Sequence, residues 1–373
     1  FIRDGGRGDD DGVADGVIVD PGFVAMSAAL PVINLDLNSS FTVDRVINAQ
    51  EVNTAVIHGT TSDVGAGQTV TLTLTDSTLR STTVTTTTDA QGNWSYQGLD
   101  WSQLADGTVQ VSLEVTNIYG ATATNSESFN LDRSLPSAVL TLQNLNDSGA
   151  NNADWLTQDS NFSLTAGNVE TGAATAFEVS TDGGASWQST TAQQSNLADG
   201  SYLFRAIVTD AAGNSAASSS RAVVVDTQSP VAANMQFIDL QDSGATNTDW
   251  LTQDRTFTLR ADNVETGAAT AFEVSTDGGA SWQSTTAQQS NLADGSYLFR
   301  AIVTDAAGNS AASSSRAVVV DTQSPVAANM QFIDLQDSGA TNTDWLTQDR
   351  TFTLRADNVE TGAATAFEVS TDG

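Results

Sequence analysis

Asp154-Trp155-Leu156-Thr157-Gln158-Asp159 returns as Asp249-Trp250-Leu251-Thr252-Gln253-Asp254 and again as Asp344-Trp345-Leu346-Thr347-Gln348-Asp349, each time 95 residues further along the chain. A fixed period of this length divides the sequence before any strand is assigned. Glu170 to Pro230 recurs without change as Glu265 to Pro325, and Val231 to Gly278 recurs as Val326 to Gly373. Divergence between the first two copies is confined to their opening third. The period is too long for a helical repeat of about 33–47 residues or a propeller blade of about 40–50, and it suits one seven-stranded β-sandwich.

Inside the repeat the apolar residues keep a period of two. Phe162 and Leu164 alternate with polar neighbours, Phe177 and Val179 with Glu178 and Ser180, and Tyr202, Phe204, Ala206 and Val208 form one face of a long run. This is the pattern of half-buried strands, with Trp187 and Phe204 as expected core anchors. Between the strands lie turn segments rich in residues that tolerate positive φ: Asp182 to Gly184, Ala198 to Gly200, and the DAAGN of Asp210 to Asn214. Val223-Val224-Val225-Asp226-Thr227-Gln228-Ser229-Pro230 closes the unit, because Pro230 has no N–H to give a ladder and the strand must stop before it.

These marks set the expected domains. Residues 1–32 read as an acidic Gly/Asp-rich linker or the end of a preceding module, and 33–132 as a diverged relative of the repeat. In that relative, runs such as Val70 to Leu74 and Val109 to Val115 flank the turns Asp89 to Asn93 and Leu104 to Gly107. Leu131-Asp132-Arg133-Ser134-Leu135-Pro136 matches the later VDTQSP hinge. Repeats follow at 133–227 and 228–322. Residues 323–373 stop before the LADG and DAAGN turns and the closing strand, so they are expected not to complete a sandwich by themselves. With no initiator Met, the chain is expected to be an internal piece of a longer one.

Thirteen basic residues, every one Arg, stand against forty-five acidic ones, for a formal net charge of -32. Such a field repels nucleic acid and anionic membrane surfaces and draws cations. Hydrophobic residues, at 39% of the chain, suffice for several small cores, which argues against disorder. Cysteine is absent, which removes disulfides and thiolate metal sites. No apolar run reaches the roughly 18 residues of a membrane span, so no membrane insertion is expected of this segment.

The segments NDSG, LADGSY, VTDAAGN and VDTQSP, in order and in near-identical tandem copies, resemble the bacterial immunoglobulin-like repeats of very large type I-secreted (RTX-type) adhesins and biofilm-associated surface proteins. The resemblance covers about residues 33 to 373. It implies an all-β chain of tandem immunoglobulin-like β-sandwich domains arranged end to end, at the bacterial cell surface or outside the cell. It also implies a structural or adhesive extender without enzymatic activity, stiffened by structural Ca2+ at domain junctions, with host or neighbouring-cell glycans or proteins as partners.

Calcium takes six to eight oxygens from carboxylates, amides and carbonyls. Asp9, Asp11 and Asp15, spaced with Gly12 and Gly16, imitate the start of a calcium loop, though no Glu closes it. The alternative is a solvated linker. A second set recurs in a polar loop: Asp147, Asp154 and Asp159, then Asp242, Asp249 and Asp254. The hinge aspartates Asp132, Asp226 and Asp321 and the DAAGN aspartates Asp210 and Asp305 complete the candidates, as a junction site drawing on hinge, loop and turn. The competing reading is that each Asp caps its own turn. Residues 228 to 322 hold eleven acidic and four basic side chains, so stacked units repel unless divalent ions intervene.

Other functions have weaker hooks. Ser180-Thr181-Asp182-Gly183-Gly184-Ala185-Ser186-Trp187 looks like the Asp-box of sialidase-type propellers, but it occurs once per 95 residues and without an Arg cluster. His58 is the sole histidine and has no Cys to activate. Arg7-Gly8-Asp9 spells an integrin-type tripeptide of a kind expected by chance in a Gly/Asp-rich segment. A glycan- or protein-binding array is the stronger rival, and accessory domains of a secreted carbohydrate-active enzyme a further one.

Overall fold

The structure, a computed structural model, describes residues 29–37, 44–244, 246–341 and 343–372. These fall into two compact units. One holds the chain up to Ser137 with Asn168–Thr175 and Val208–Ala217; the other holds Ala138–Gly167, Ala176–Ile207 and the chain from Ser218 onward.

The first sandwich is built from β1 (Val32–Leu35), β2 (Val46–Asn48), β3 (Val56–Ser62), β4 (Thr69–Asp76), β5 (Ser81–Thr87), β6 (Asn93–Gln97), β7 (Gly107–Thr116) and β8 (Thr122–Asp132). One sheet runs β1-β3-β6 and the other β2-β8-β7-β4-β5. Alternation decides which side faces in: along β4, Val70, Leu72 and Leu74 are buried while the threonines between them look out. The buried residues of both sheets, among them Ile57, Trp94, Leu72, Val111 and Phe129, form one cluster. Asp76, only 3% exposed at the end of β4, ties the LADG turn to the sheet. It accepts N–H groups from Ala105 at 2.8 Å, Thr78 at 2.8 Å and Arg80 at 3.0 Å. These bonds, that of Ala105 foremost, hold its carboxyl down at about 2.

The second repeat has the same two-layer plan. Asn234–Ile238, Phe257–Asp262 and Gln288–Gln289 make a three-stranded sheet. Facing it are Leu251–Thr252, Arg316–Val320, Gly295–Thr304, Ala269–Ser275 and Gln283–Thr285 in that order, with Ser310–Ala312 on Gly295–Thr304. Leu251–Thr252 lies parallel to Arg316–Val320, as β2 does to β8. Phe257 and Phe299 meet edge to face at 5.7 Å in the core, and Phe237 joins both. The first repeat carries the same strands in the same chain order, around Leu140, Phe162, Leu164, Phe204, Val223 and Val225.

Trp187 departs from its expected role. It is half-buried outside the core cluster, and the Arg205 guanidinium lies 4.0 Å over its ring while bonding Glu178. Trp282 and Arg300 repeat the arrangement at 4.1 Å. The hairpin carries the indole onto the outer face, where Arg205 points because its neighbours Phe204 and Ala206 point in. Among the described residues from 323 onward, only Asn329–Ile333 and Thr353–Asp357 pair. Phe237 and Phe257 are 9% and 1% exposed, whereas their counterparts Phe332 and Phe352 are 37% and 46% exposed.

Candidate functional site

The polar loop of the repeat folds on its own carboxylates. Asp159 accepts the N–H of Asn146 at 2.9 Å and of Asn161 at 3.0 Å, and Asp154 accepts that of Leu156 at 3.2 Å. Asp254 and Asp249 do the same for Gln241, Thr256 and Leu251. Asp147 Oδ2 takes the N–H of Trp155 at 3.1 Å, with Asp242 on Trp250 and Asp337 on Trp345 in the later copies. The three tryptophans sit at φ 61°, 57° and 56°, a left-handed backbone that bulky side chains rarely adopt. The other oxygen of this aspartate, Oδ1 of Asp147, Asp242 and Asp337, is buried without a hydrogen-bond partner in all three copies. A bare buried carboxylate oxygen is costly, and a hard cation is a natural partner for it.

At the hinges the aspartate side chains cap turns. Asp132, Asp226 and Asp321 accept from the N–H groups of Ser134, Gln228 and Gln323. The LADG aspartates grip the same segment: Asp199 accepts both the N–H (2.9 Å) and the hydroxyl (2.8 Å) of Thr227, bonds that lower its carboxyl pKa, and Asp294 binds Thr322 likewise. Asp210 and Asp305 each hold the closing Asn of their DAAGN turn, at 2.8 and 2.9 Å for Asn214 and 2.9 and 3.0 Å for Asn309.

Those two asparagines, 1% and 5% exposed, are the residues that sequence reasoning passed over. In the first unit Asn214 Nδ2 donates to the carbonyl of hinge residue Asp132 at 3.0 Å, and its Oδ1 accepts from Ala49 N–H at 2.7 Å. Asn48 Nδ2 completes the clasp on the Ala212 carbonyl at 3.1 Å. In the second unit Asn309 Nδ2 donates to the carbonyl of Asp226 at 2.8 Å, and the Ser148 hydroxyl donates to the carbonyl of Ala307 at 2.6 Å. The backbones touch here. A Cβ on Gly149 would lie 2.2 Å from the Ala306 oxygen, so only glycine fits. An identical amide ending both DAAGN turns was the available signal.

Hinge, polar loop and following DAAGN turn thus converge, but through amides, hydroxyls and carbonyls. Among the described residues no three His, Asp or Glu side chains gather closely enough to hold a metal by themselves. Any ion here would draw on backbone carbonyls. Asp9, Asp11 and Asp15 lie outside the described residues. The Ser180–Trp187 segment is a hairpin closed by its own side chains, with Asp182 accepting from Ser180 at 2.7 Å and from Ser186 N–H at 2.9 Å.

The sequence model of the bacterial Ig-like domain matches residues 134–227 and 230–322. The chain belongs to that family. No curated protein sequence matches this bacterial Ig-like chain significantly. Similar solved structures include a tetra-tandem repeat in the extending region of a large adhesion protein: 22% identity over 83% of this chain and 78% of that one, TM-score 0.28. Another is a Ca2+-stabilized adhesin that helps an Antarctic bacterium reach out and bind ice, with 20% identity over 82% and 77%, TM-score 0.43. A third is a bacterial immunoglobulin-like domain from the M. primoryensis ice-binding adhesin, with 28% identity over 29% and 98%, TM-score 0.20.

Proposed function

We propose that this bacterial Ig-like chain is an extender segment of a surface adhesin, with sandwiches at 33–132, 133–227 and 228–322 and a partial one at 323–373. On this reading it lies outside the cell and supports adhesion or biofilm formation, with calcium stiffening its junctions. What supports calcium is the recurring bare Oδ1 of Asp147, Asp242 and Asp337. Asp147 adjoins Ser148, the residue that reaches the next repeat's DAAGN turn, so an ion on Asp147 would sit beside the seam. Asp147 or Asp242 with carbonyls of the same loop would hold it, and the ion would supply positive charge between two acidic neighbours. Hinge bonds from Asp199 and Asp294 leave few free dihedrals, and Pro230 and Pro325 fix one more each.

Calorimetric titration of calcium into the chain, beside small-angle scattering with and without chelator, tests this. Saturable binding, a chelator-sensitive profile and loss of binding when Asp147→Asn, Asp242→Asn and Asp337→Asn are combined are expected. Absence of binding together with an unchanged profile would remove calcium and leave a plain spacer, to be tested next against glycans and host proteins.

A further inference from the structure

β5, Ser81-Thr82-Thr83-Val84-Thr85-Thr86-Thr87, is the last strand of the sheet β2-β8-β7-β4-β5, and β4 is its strand partner among the described residues. Edge strands offer their outer N–H and C=O groups to any extended chain, and proteins usually guard them with Lys, Pro, bulges or brevity. β5 has seven β-branched or hydroxyl residues, no charge, no Pro and a continuous register with β4. The matching edge of the first repeat, Gln188–Thr190, is only three residues long.

The strand is also palindromic: Thr82-Thr83-Val84-Thr85-Thr86 reads the same in both directions about Val84. An antiparallel pair related by a two-fold axis through Val84 keeps each sheet face on its own side. It sets Val84 opposite the partner's Val84, and Thr83 opposite the partner's Thr85. Thr83 and Thr85 are exposed, and Thr83 already bonds Thr73 across the sheet at 3.1 Å, so the hydroxyl ladder would continue from one copy into the next. Val84 is partly buried against the core, so pairing covers apolar surface at the axis. Charge agrees with this register. Exposed Arg80 precedes the strand and exposed Asp89 follows it, so the antiparallel arrangement brings each Arg80 beside the partner's Asp89.

We propose that β5 is a homophilic docking edge, through which two copies of this chain join their five-stranded sheets into one continuous sheet centred on Val84. A single strand pair is a small interface, so the contact is weak alone and gains strength when many copies face one another. The -32 charge opposes it at long range, and salt screens that repulsion.

The test uses the full chain. Sedimentation at rising protein and salt concentrations should reveal a reversible dimer favoured by salt. Because the sequence has no cysteine, Val84→Cys reports one contact: facing residues of an antiparallel pair lie about 4.5–5.5 Å apart at Cα, within disulfide reach. Mild oxidation should cross-link it far faster than the exposed control Thr124→Cys. Thr83→Lys with Thr85→Lys puts like charges opposite each other twice and should weaken the dimer about tenfold or more, while Thr83→Lys with Thr85→Glu should restore it. Both positions are exposed and both variants lose the same Thr83–Thr73 bond, so their monomers should melt alike. The proposal is overturned by a monomer at every concentration and salt level, by equal cross-linking of the two cysteine variants, or by equal behaviour of the two charge variants.

Discussion

Asn309→Ala is the sharpest perturbation of the seam between the two full repeats. The side-chain amide is 5% exposed and donates to the Asp226 carbonyl at 2.8 Å and to Asp305 Oδ2 at 3.0 Å. Truncation leaves the DAAGN turn the bonds made by the main chain of residue 309, Asp305 N–H to its carbonyl and its N–H to Asp305 Oδ1. What disappears is the bond across the seam, and a sheltered carbonyl loses its donor. A lost hydrogen bond with a stranded acceptor costs about 1–3 kcal/mol, and about 2 kcal/mol is roughly a thirtyfold fall in the docked fraction. Paired spin labels on cysteines placed at Thr165 and Thr258 would read the distance between the repeats. The variant should broaden that distribution while both sandwiches melt as before. A distribution identical to that of the parent would refute the idea that this amide holds the seam.

Gly149→Ala attacks the same seam by steric means, since its Cβ would meet the Ala306 oxygen at 2.2 Å. The label distance should shift without loss of either sandwich, whereas Gly167→Ala, whose Cβ would find its nearest neighbour at 3.9 Å, should behave as wild type. Asp76 gives a pH prediction. Its carboxyl pKa is lowered to about 2, so its contribution is complete above the ordinary value of 3.8 and is lost as the pH falls through about 2. Thermal melts should therefore fall for the parent between about pH 4 and about pH 2, with a flatter dependence in Asp76→Asn; parallel curves would contradict the assignment.

The sandwich is legible because strands declare themselves by period two: alternation alone points Phe162, Leu164, Phe204 and Val208 inward, and all four are buried. Trp187 misled because its setting depends on Arg205 and Glu178, a register between strands that its own hairpin does not encode. Asn214 and Asn309 escaped notice for a related reason. Their partners are backbone carbonyls of Asp132 and Asp226, 82 and 83 residues away, and a carbonyl leaves no mark in a sequence. The aspartates were recognisable as loop ligands or caps. Which oxygen stays bare, Oδ1 of Asp147 rather than either oxygen of Asp159, depends on the fold of the loop.

The seam bonds carry an evolutionary consequence. The acceptor for Asn214 and for Asn309 is main chain, so that bond does not depend on which side chains the preceding unit presents at its hinge. The diverged first sandwich and the first repeat therefore receive the same plug despite their different sequences. Because each repeat also brings its own Ser-Gly pair, Ser148-Gly149 and Ser243-Gly244, a coupling of this kind lets a gene gain or lose whole units of 95 residues by unequal crossover with the boundary residues supplied by the unit itself. Selection can then adjust reach by copy number, and recently duplicated units would stand beside older ones, as the unchanged stretch from Glu265 to Pro325 stands after its twin.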